Sequence, residues 1–180
     1  MQRPASRFGR PNTINEQPRA LGKNKQGVQQ WGPSGVGVWG SPTLDVARKI
    51  VYVVSPKGGG GLFALQLKDG TQVWHAAPVP CPESRKGCSP GQSAAVTVIP
   101  NVVFSGSLDG HLRAYSTVDG RVVWDYDTVR EFTTVNGIPG RGGAINGPGA
   151  TVAGGMLFVN SGYAFFGQMP GNVLLAFGVD

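Results

Sequence analysis

The chain repeats itself at a spacing of fifty residues, and nothing else in the sequence limits its fold so tightly. Ala64-Leu-Gln-Leu-Lys-Asp69-Gly70-Thr-Gln-Val-Trp74 returns as Ala114-Tyr-Ser-Thr-Val-Asp119-Gly120-Arg-Val-Val-Trp124. Ala, Asp, Gly and Trp recur in register, from 64 to 114 and from 74 to 124. An Asp-Gly pair between two apolar runs is a strong hairpin signal, because Gly supplies the positive φ that a tight turn demands. The segments upstream repeat as well. Trp39-Gly-Ser-Pro-Thr-Leu precedes Lys49-Ile-Val-Tyr-Val-Val54, and Ser93-Ala-Ala-Val-Thr-Val precedes Asn101-Val-Val-Phe-Ser105. A third unit opens with Pro148-Gly-Ala-Thr-Val and Met156-Leu-Phe-Val-Asn160. Each unit thus reads as a small-residue strand, a β-branched strand and the two arms of a hairpin.

Four antiparallel strands at such a period describe one blade of a β-propeller. The expected fold is all-β, a partial propeller of about three four-stranded blades near residues 38–75, 92–125 and 147–178. In the third unit Val173-Leu-Leu-Ala-Phe177 stands as a third strand, and no Asp-Gly-x-x-x-Trp follows it. Composition agrees. The 29 glycines are about twice the usual share, and charged residues are 14% against about 25% in an average domain, as suits short strands and tight turns. No apolar pattern with helical period persists over three turns. The recurring Trp74 and Trp124 read as rings that pack a blade on its neighbour, because equal spacing marks scaffold rather than a single site. The turn acids Asp69, Asp109 and Asp119 read as turn formers.

The net charge of +6 does not mark a nucleic-acid binder, since the basic residues are not interleaved with aromatics. Many of them, Arg3, Arg7, Arg10, Arg19, Lys23 and Lys25, fall in residues 1–30, expected as a basic, irregular segment ahead of blades in 31–180. No run of about 20 apolar residues suggests a membrane span, and no apolar leader core follows the basic N-terminus. Cys81 and Cys88 flank Pro-Glu-Ser-Arg-Lys-Gly, which can turn back on itself. A disulfide there would stabilise by about 2–3 kcal/mol and imply an oxidising compartment such as a periplasm; the alternative is two free thiols. A zinc site lacks further ligands at suitable spacing.

Ala-x-x-x-x-Asp-Gly-x-x-x-Trp resembles the tryptophan-docking motif of PQQ-dependent dehydrogenases, a motif shared with non-catalytic propellers. Val103-Phe-Ser-Gly-Ser-Leu-Asp109-Gly110-His-Leu-Arg-Ala-Tyr115 is similar to late blades of quinoprotein alcohol dehydrogenases. The runs Cys88 to Val96, Arg141-Gly-Gly-Ala-Ile-Asn-Gly-Pro-Gly149 and Val159-Asn-Ser-Gly-Tyr163 resemble the C-terminal part of polyvinyl-alcohol dehydrogenases. Pro18 to Asp45 is similar to an earlier blade of that family, so the junction Ser55-Pro-Lys-Gly-Gly-Gly-Gly61 reads as an internal deletion or fusion; a long glycine-rich loop within one blade is the alternative.

The resemblance implies oxidation of a secondary or polymeric alcohol with PQQ held by calcium, electrons passing to cytochrome c, in the periplasm. Trp39 matches the ring on which PQQ stacks, or else is a packing residue. Arg141 and Asn146 fall on a turn facing the axis, where Arg141 would pair with a PQQ carboxylate or simply be solvated. Neither cofactor site is complete: Val54-Ser55-Pro56-Lys57 stands where relatives place an Asn calcium ligand, and the Asp base belongs to the missing stretch. A vicinal Cys pair and a Cys-x-x-Cys-His haem site are absent too. No residue is therefore assigned as catalytic. The competing readings are a non-catalytic propeller module that binds a protein partner, self-associating through open blade faces, and the remnant of a broken gene.

Overall fold

The computed structural model describes residues 19–32, 37–55, 60–164 and 166–179. Every regular element among them is a strand. A hairpin of β1 (Arg19–Lys23) and β2 (Gln29–Gly32) comes first. The first blade is β3 (Thr43–Asp45), β4 (Ile50–Ser55), β5 (Gly61–Gln66) and β6 (Gln72–Ala76), paired in that order. The second is β7 (Thr97–Ile99), β8 (Val102–Gly106), β9 (His111–Ser116) and β10 (Val122–Asp127). A hairpin of β11 (Glu131–Thr133) and β12 (Pro139–Arg141) is inserted before the third sheet. That sheet has three strands, β13 (Thr151–Ala153), β14 (Met156–Ser161) and β15 (Val173–Phe177). The fold is an open propeller arc, two blades of four strands and one of three.

Each conserved letter of the repeat has a structural cause. In the first blade Leu65 faces Gln72 and Ala64 faces Trp74, so Val73 is an extra residue, a bulge. In the second, Tyr115 faces Val122 and Ala114 faces Trp124, with Val123 as the bulge. The small alanine lies directly opposite the large indole in both blades. Asp69 Oδ1 accepts a hydrogen bond from the Thr71 amide and Asp119 Oδ1 one from the Arg121 amide, while Gly70 and Gly120 adopt φ of 75° and 73°.

Strands β4 and β9 are largely buried, and β9 belongs to the middle blade, which has a neighbour on each side. One core lies between the first two blades, built on Tyr52, Val54, Leu62, Trp74, Val103 and Tyr115. A second joins the second and third blades through Leu112, Ile145, Leu157 and Val159. Three side-chain bonds link residues 53 apart, that is, equivalent places in adjoining blades. They are Arg48 to Asn101, Ser93 to Asn146 and Thr97 to the Ala150 carbonyl.

One feature departs from the sequence reading. Residues 19–32, of which 19–30 belong to the segment expected to be irregular, form a hairpin because Asn24 Oδ1 accepts from the Gln26 and Val28 amides and Gly27 takes φ 78°. At the junction read as a deletion, Ser55 and Gly61 are cross-strand partners, so its ends close a hairpin within one blade. Pro56, Lys57, Gly58 and Gly59 lie outside the described residues.

Candidate cofactor-binding site

Antiparallel order puts the starts of β3, β7 and β13, the ends of β6 and β10, and the β4–β5, β8–β9 and β14–β15 connections at one end of the arc. Trp39, Ser93 and Asn146, which precede β3, β7 and β13, lie there. Segment 37–42 is held by Ser55 Oγ, which donates to the Gly37 carbonyl at 2.9 Å. Gly40 passes so close to the second blade that a Cβ on it would stand 2.6 Å from the Ala94 carbonyl oxygen. That approach fixes the backbone beside Trp39, whose side chain is left open with the residue 69% exposed.

Trp39, Ser93 and Asn146 line one cavity of about 290 Å³, with Leu108, Phe166 and Gln168 completing much of its wall. Two of the three predicted cofactor residues, 107 positions apart (146 − 39), therefore meet in one place. Ser93 Oγ donates to Asn146 Oδ1 at 2.8 Å, and the Gly147 amide donates to the same oxygen at 2.8 Å. Both lone pairs of that oxygen are thus engaged, which leaves the Nδ2 group as the side chain's donor. Ser93 and Gln168 were missed as wall residues; in the sequence they are a strand-entry Ser and a loop Gln without any motif.

The third, Arg141, is placed elsewhere. It ends β12, where its amide donates to Asn172 Oδ1 at 2.8 Å, and it lines two other hollows, of about 700 and 550 Å³. Cys81 and Cys88 are joined by a disulfide, with Cα atoms 6.0 Å apart. Cys88 packs against Leu108, Ala144 and Met169.

Beneath this end runs a chain of charges unforeseen in the sequence. Asp109 does form its turn, Oδ1 accepting from the His111 amide, but its other oxygen meets Arg113 Nη2 at 2.7 Å, both side chains being buried. Arg113 Nε contacts Asp125 at 3.1 Å, His111 Nδ1 lies 2.7 Å from Asp125, and Arg85 Nη2 lies 2.5 Å from Asp127. Burial works to lower the Arg113 guanidinium pKa, but the hydrogen bond and charge of Asp109 outweigh it and raise it. Tyr115, buried and accepting from Gln92 Nε2 at 3.0 Å, has its hydroxyl pushed up by that burial.

The cofactors implied by the resemblance fit unequally. An exposed indole plane beside a small cavity suits a flat ring system. Calcium takes 6–8 oxygen ligands, typically including carboxylates, and this wall has no carboxylate among the described residues. Asn146 Oδ1 has no free lone pair, and no group of three or more His, Cys, Asp or Glu fit for a metal occurs among the described residues. The residues fit the ring and not the ion.

The repeat, the blades and their tryptophan docking define the class: a β-propeller protein of the PQQ-enzyme repeat type. Residues 24–176 match the family PQQ_2, described as outer membrane protein assembly factor BamB, and the chain belongs to that family. It is 45% identical over 140 residues to a polyvinylalcohol dehydrogenase of Pseudomonas sp., covering 71% of this chain and 22% of that protein. It is 30% identical over 122 residues to the 1-butanol dehydrogenase (cytochrome c) of Thauera butanivorans, covering 67% and 17%. Among solved structures, the quinohemoprotein alcohol dehydrogenase ADHIIG of Pseudomonas putida HK5 matches with a TM-score of 0.50 at 22% identity, over 71% of this chain and 17% of that one. The chain thus spans less than a quarter of the length of these relatives. No helix among the described residues is long and apolar enough to cross a membrane.

Proposed function

We propose that the chain contributes one wall of a quinone site in a PQQ-dependent dehydrogenase of secondary or polymeric alcohols. The observation that carries this reading is the exposed Trp39 ring standing with Ser93 and Asn146 on one cavity where blades meet. Trp39 would offer its face to the cofactor, and the Asn146 Nδ2 group would donate to a cofactor oxygen. When bound, PQQ supplies a quinone that takes up the two electrons of alcohol oxidation. Cytochrome c is then the proposed acceptor, as it is in the name of the butanol dehydrogenase (cytochrome c). The disulfide supports an oxidising compartment, the periplasm in a bacterium.

The mismatch with calcium favours a second reading, a propeller module that binds a protein partner without turnover. Titrating PQQ into the purified chain while following tryptophan fluorescence separates the two. The cofactor reading expects saturable quenching that Trp39→Ala removes and that a calcium chelator leaves unchanged. Quenching that survives Trp39→Ala, or none at all, favours the binding module.

A further inference from the structure

Adjoining the Trp39 cavity at Gln168 is a second hollow, of about 550 Å³, and its chemistry differs. Its wall carries Arg85, Lys86 and Arg141 and, among the described residues, no Asp or Glu. The Cys81–Cys88 loop forms one side and the glycine-rich turn after β12 the other. The loop is pinned at both ends: Cys88 packs in a core with Met169, and Arg85 is bound to Asp127 and, through Nη1, to the Asp109 carbonyl at 3.1 Å. The loop meets the β14–β15 connection where Gly87 and Gly167, both at positive φ, approach so closely that a Cβ on Gly87 would sit 3.4 Å from the Gly167 carbonyl oxygen. Arg85 is neutralised by Asp127. Lys86 and Arg141 have no ion-pair partner among the described residues. Glu131, the cross-strand partner of Arg141, faces the neighbouring hollow and makes no ion pair with it.

Two unpaired cations at a concave place, Lys86 on a disulfide-closed loop and Arg141 at the end of β12, suit a ligand that brings several oxyanion groups. We propose that this hollow is a binding site for a small multivalent oxyanion, a polycarboxylate or a polyphosphate, separate from the Trp39 cavity. It stands independently of the cofactor reading, since it shares with that cavity only Gln168.

Calorimetric titration of the full chain at fixed ionic strength tests it, with citrate and pyrophosphate as the probes. Saturable binding of either is expected, and the tighter of the two identifies the carboxylate or phosphate source. Lys86→Gln and Arg141→Gln, both at exposed positions, each weaken it roughly three- to tenfold, and Glu131→Gln tightens it. Lys25→Gln, on the β1–β2 hairpin, changes nothing, and Trp39→Ala leaves it intact. No binding of either anion overturns the proposal, as does equal binding by wild type, Lys86→Gln and Arg141→Gln. Loss in Trp39→Ala alone also overturns it, because the anion would then occupy the other cavity.

Discussion

The same repeat position is used twice in this molecule with different results. Trp74, at the junction of the first and second blades, is 8% exposed, and its indole N–H donates to the Thr117 carbonyl at 3.1 Å. Its ring lies over Gly120, the turn glycine of the next blade. Trp124, fifty residues on, is only half-buried, and its indole nitrogen has no hydrogen-bond partner among the described residues. It stacks with Tyr126 at 5.8 Å and meets the edge of Phe177 at 5.3 Å, beside an apolar hollow of about 310 Å³. Both hairpins share the bulge and the facing alanine, so the strand places the ring identically. The receiving turn accounts for the difference: Trp74 has the Asp119-Gly120 turn beneath it, and β15 has no such turn after it among the described residues. Docking is a property of the pair of blades, and the motif supplies half of it.

Removing each ring in turn is the most direct attack on that comparison. Trp74→Ala empties a closed interface and deprives Thr117 of its donor, so a loss of about 3–5 kcal/mol is expected. Trp124→Ala removes a partly solvated ring and costs about 1–2 kcal/mol. Urea denaturation of both variants reads the difference. Equal losses would mean that the ring, and not its receiving turn, sets the energy.

The receiving turn can be damaged without touching the ring. Gly120 has φ 73°, and a Cβ there would lie 2.5 Å from the Trp74 ring. Gly120→Ala therefore combines left-handed strain with overpacking, about 2–4 kcal/mol in all. Its mark is the Trp74 emission, which moves toward that of a solvated indole before global unfolding. An unchanged emission would show that the turn does not position the ring.

The connections that join the blades also differ. Between the first two blades it is tied by the Cys81–Cys88 disulfide; between the second and third it carries the β11–β12 hairpin and a run of packed glycines. Reduction should then cost about 2–3 kcal/mol and act chiefly on the first junction. Amide exchange in the reduced chain is expected to quicken in β5 and β7 more than in β14. Uniform quickening would show the arc to be a single cooperative unit.

How far the sequence led follows the same division between local and paired information. Within a unit, each strand could be read from its own residues, because Asp-Gly turns and β-branched runs act locally. The meeting of Trp39 with Asn146 could not be read, because it depends on how two blades are set against each other. Arg141 was expected with them, but its turn was followed only by sequence, and the β11–β12 hairpin sends it to another hollow. That hairpin was itself legible: Asn136-Gly137 is a two-residue turn signal, and Gly137 takes φ 74°. The Asp109–Arg113 pair, at i and i+4 with both side chains buried, was hidden because its Asp also fits the turn pattern.

The smallest expected effect comes from a second tie at the first junction. Arg85, on the connection out of the first blade, bonds to Asp127 at the end of the second blade's outer strand. Partial burial works to raise the Asp127 carboxyl, but the Arg85 guanidinium and the Val129 amide outweigh it and hold it below its ordinary value of 3.8. A depressed carboxyl gives stability that is fully present above the unfolded value and is lost as pH falls through the lower, folded one. The tie is thus intact at neutral pH and fails only below about pH 4. With the Asp127 side chain 39% exposed, solvent screening keeps its worth under about 1 kcal/mol. Asp127→Asn should flatten the stability curve below pH 4 by that amount in chemical denaturation, leaving the acid response of Trp124 emission unchanged. If Trp124 instead responds as strongly as Trp74, protonation is being felt across both junctions, and the two would have to be treated as one coupled interface.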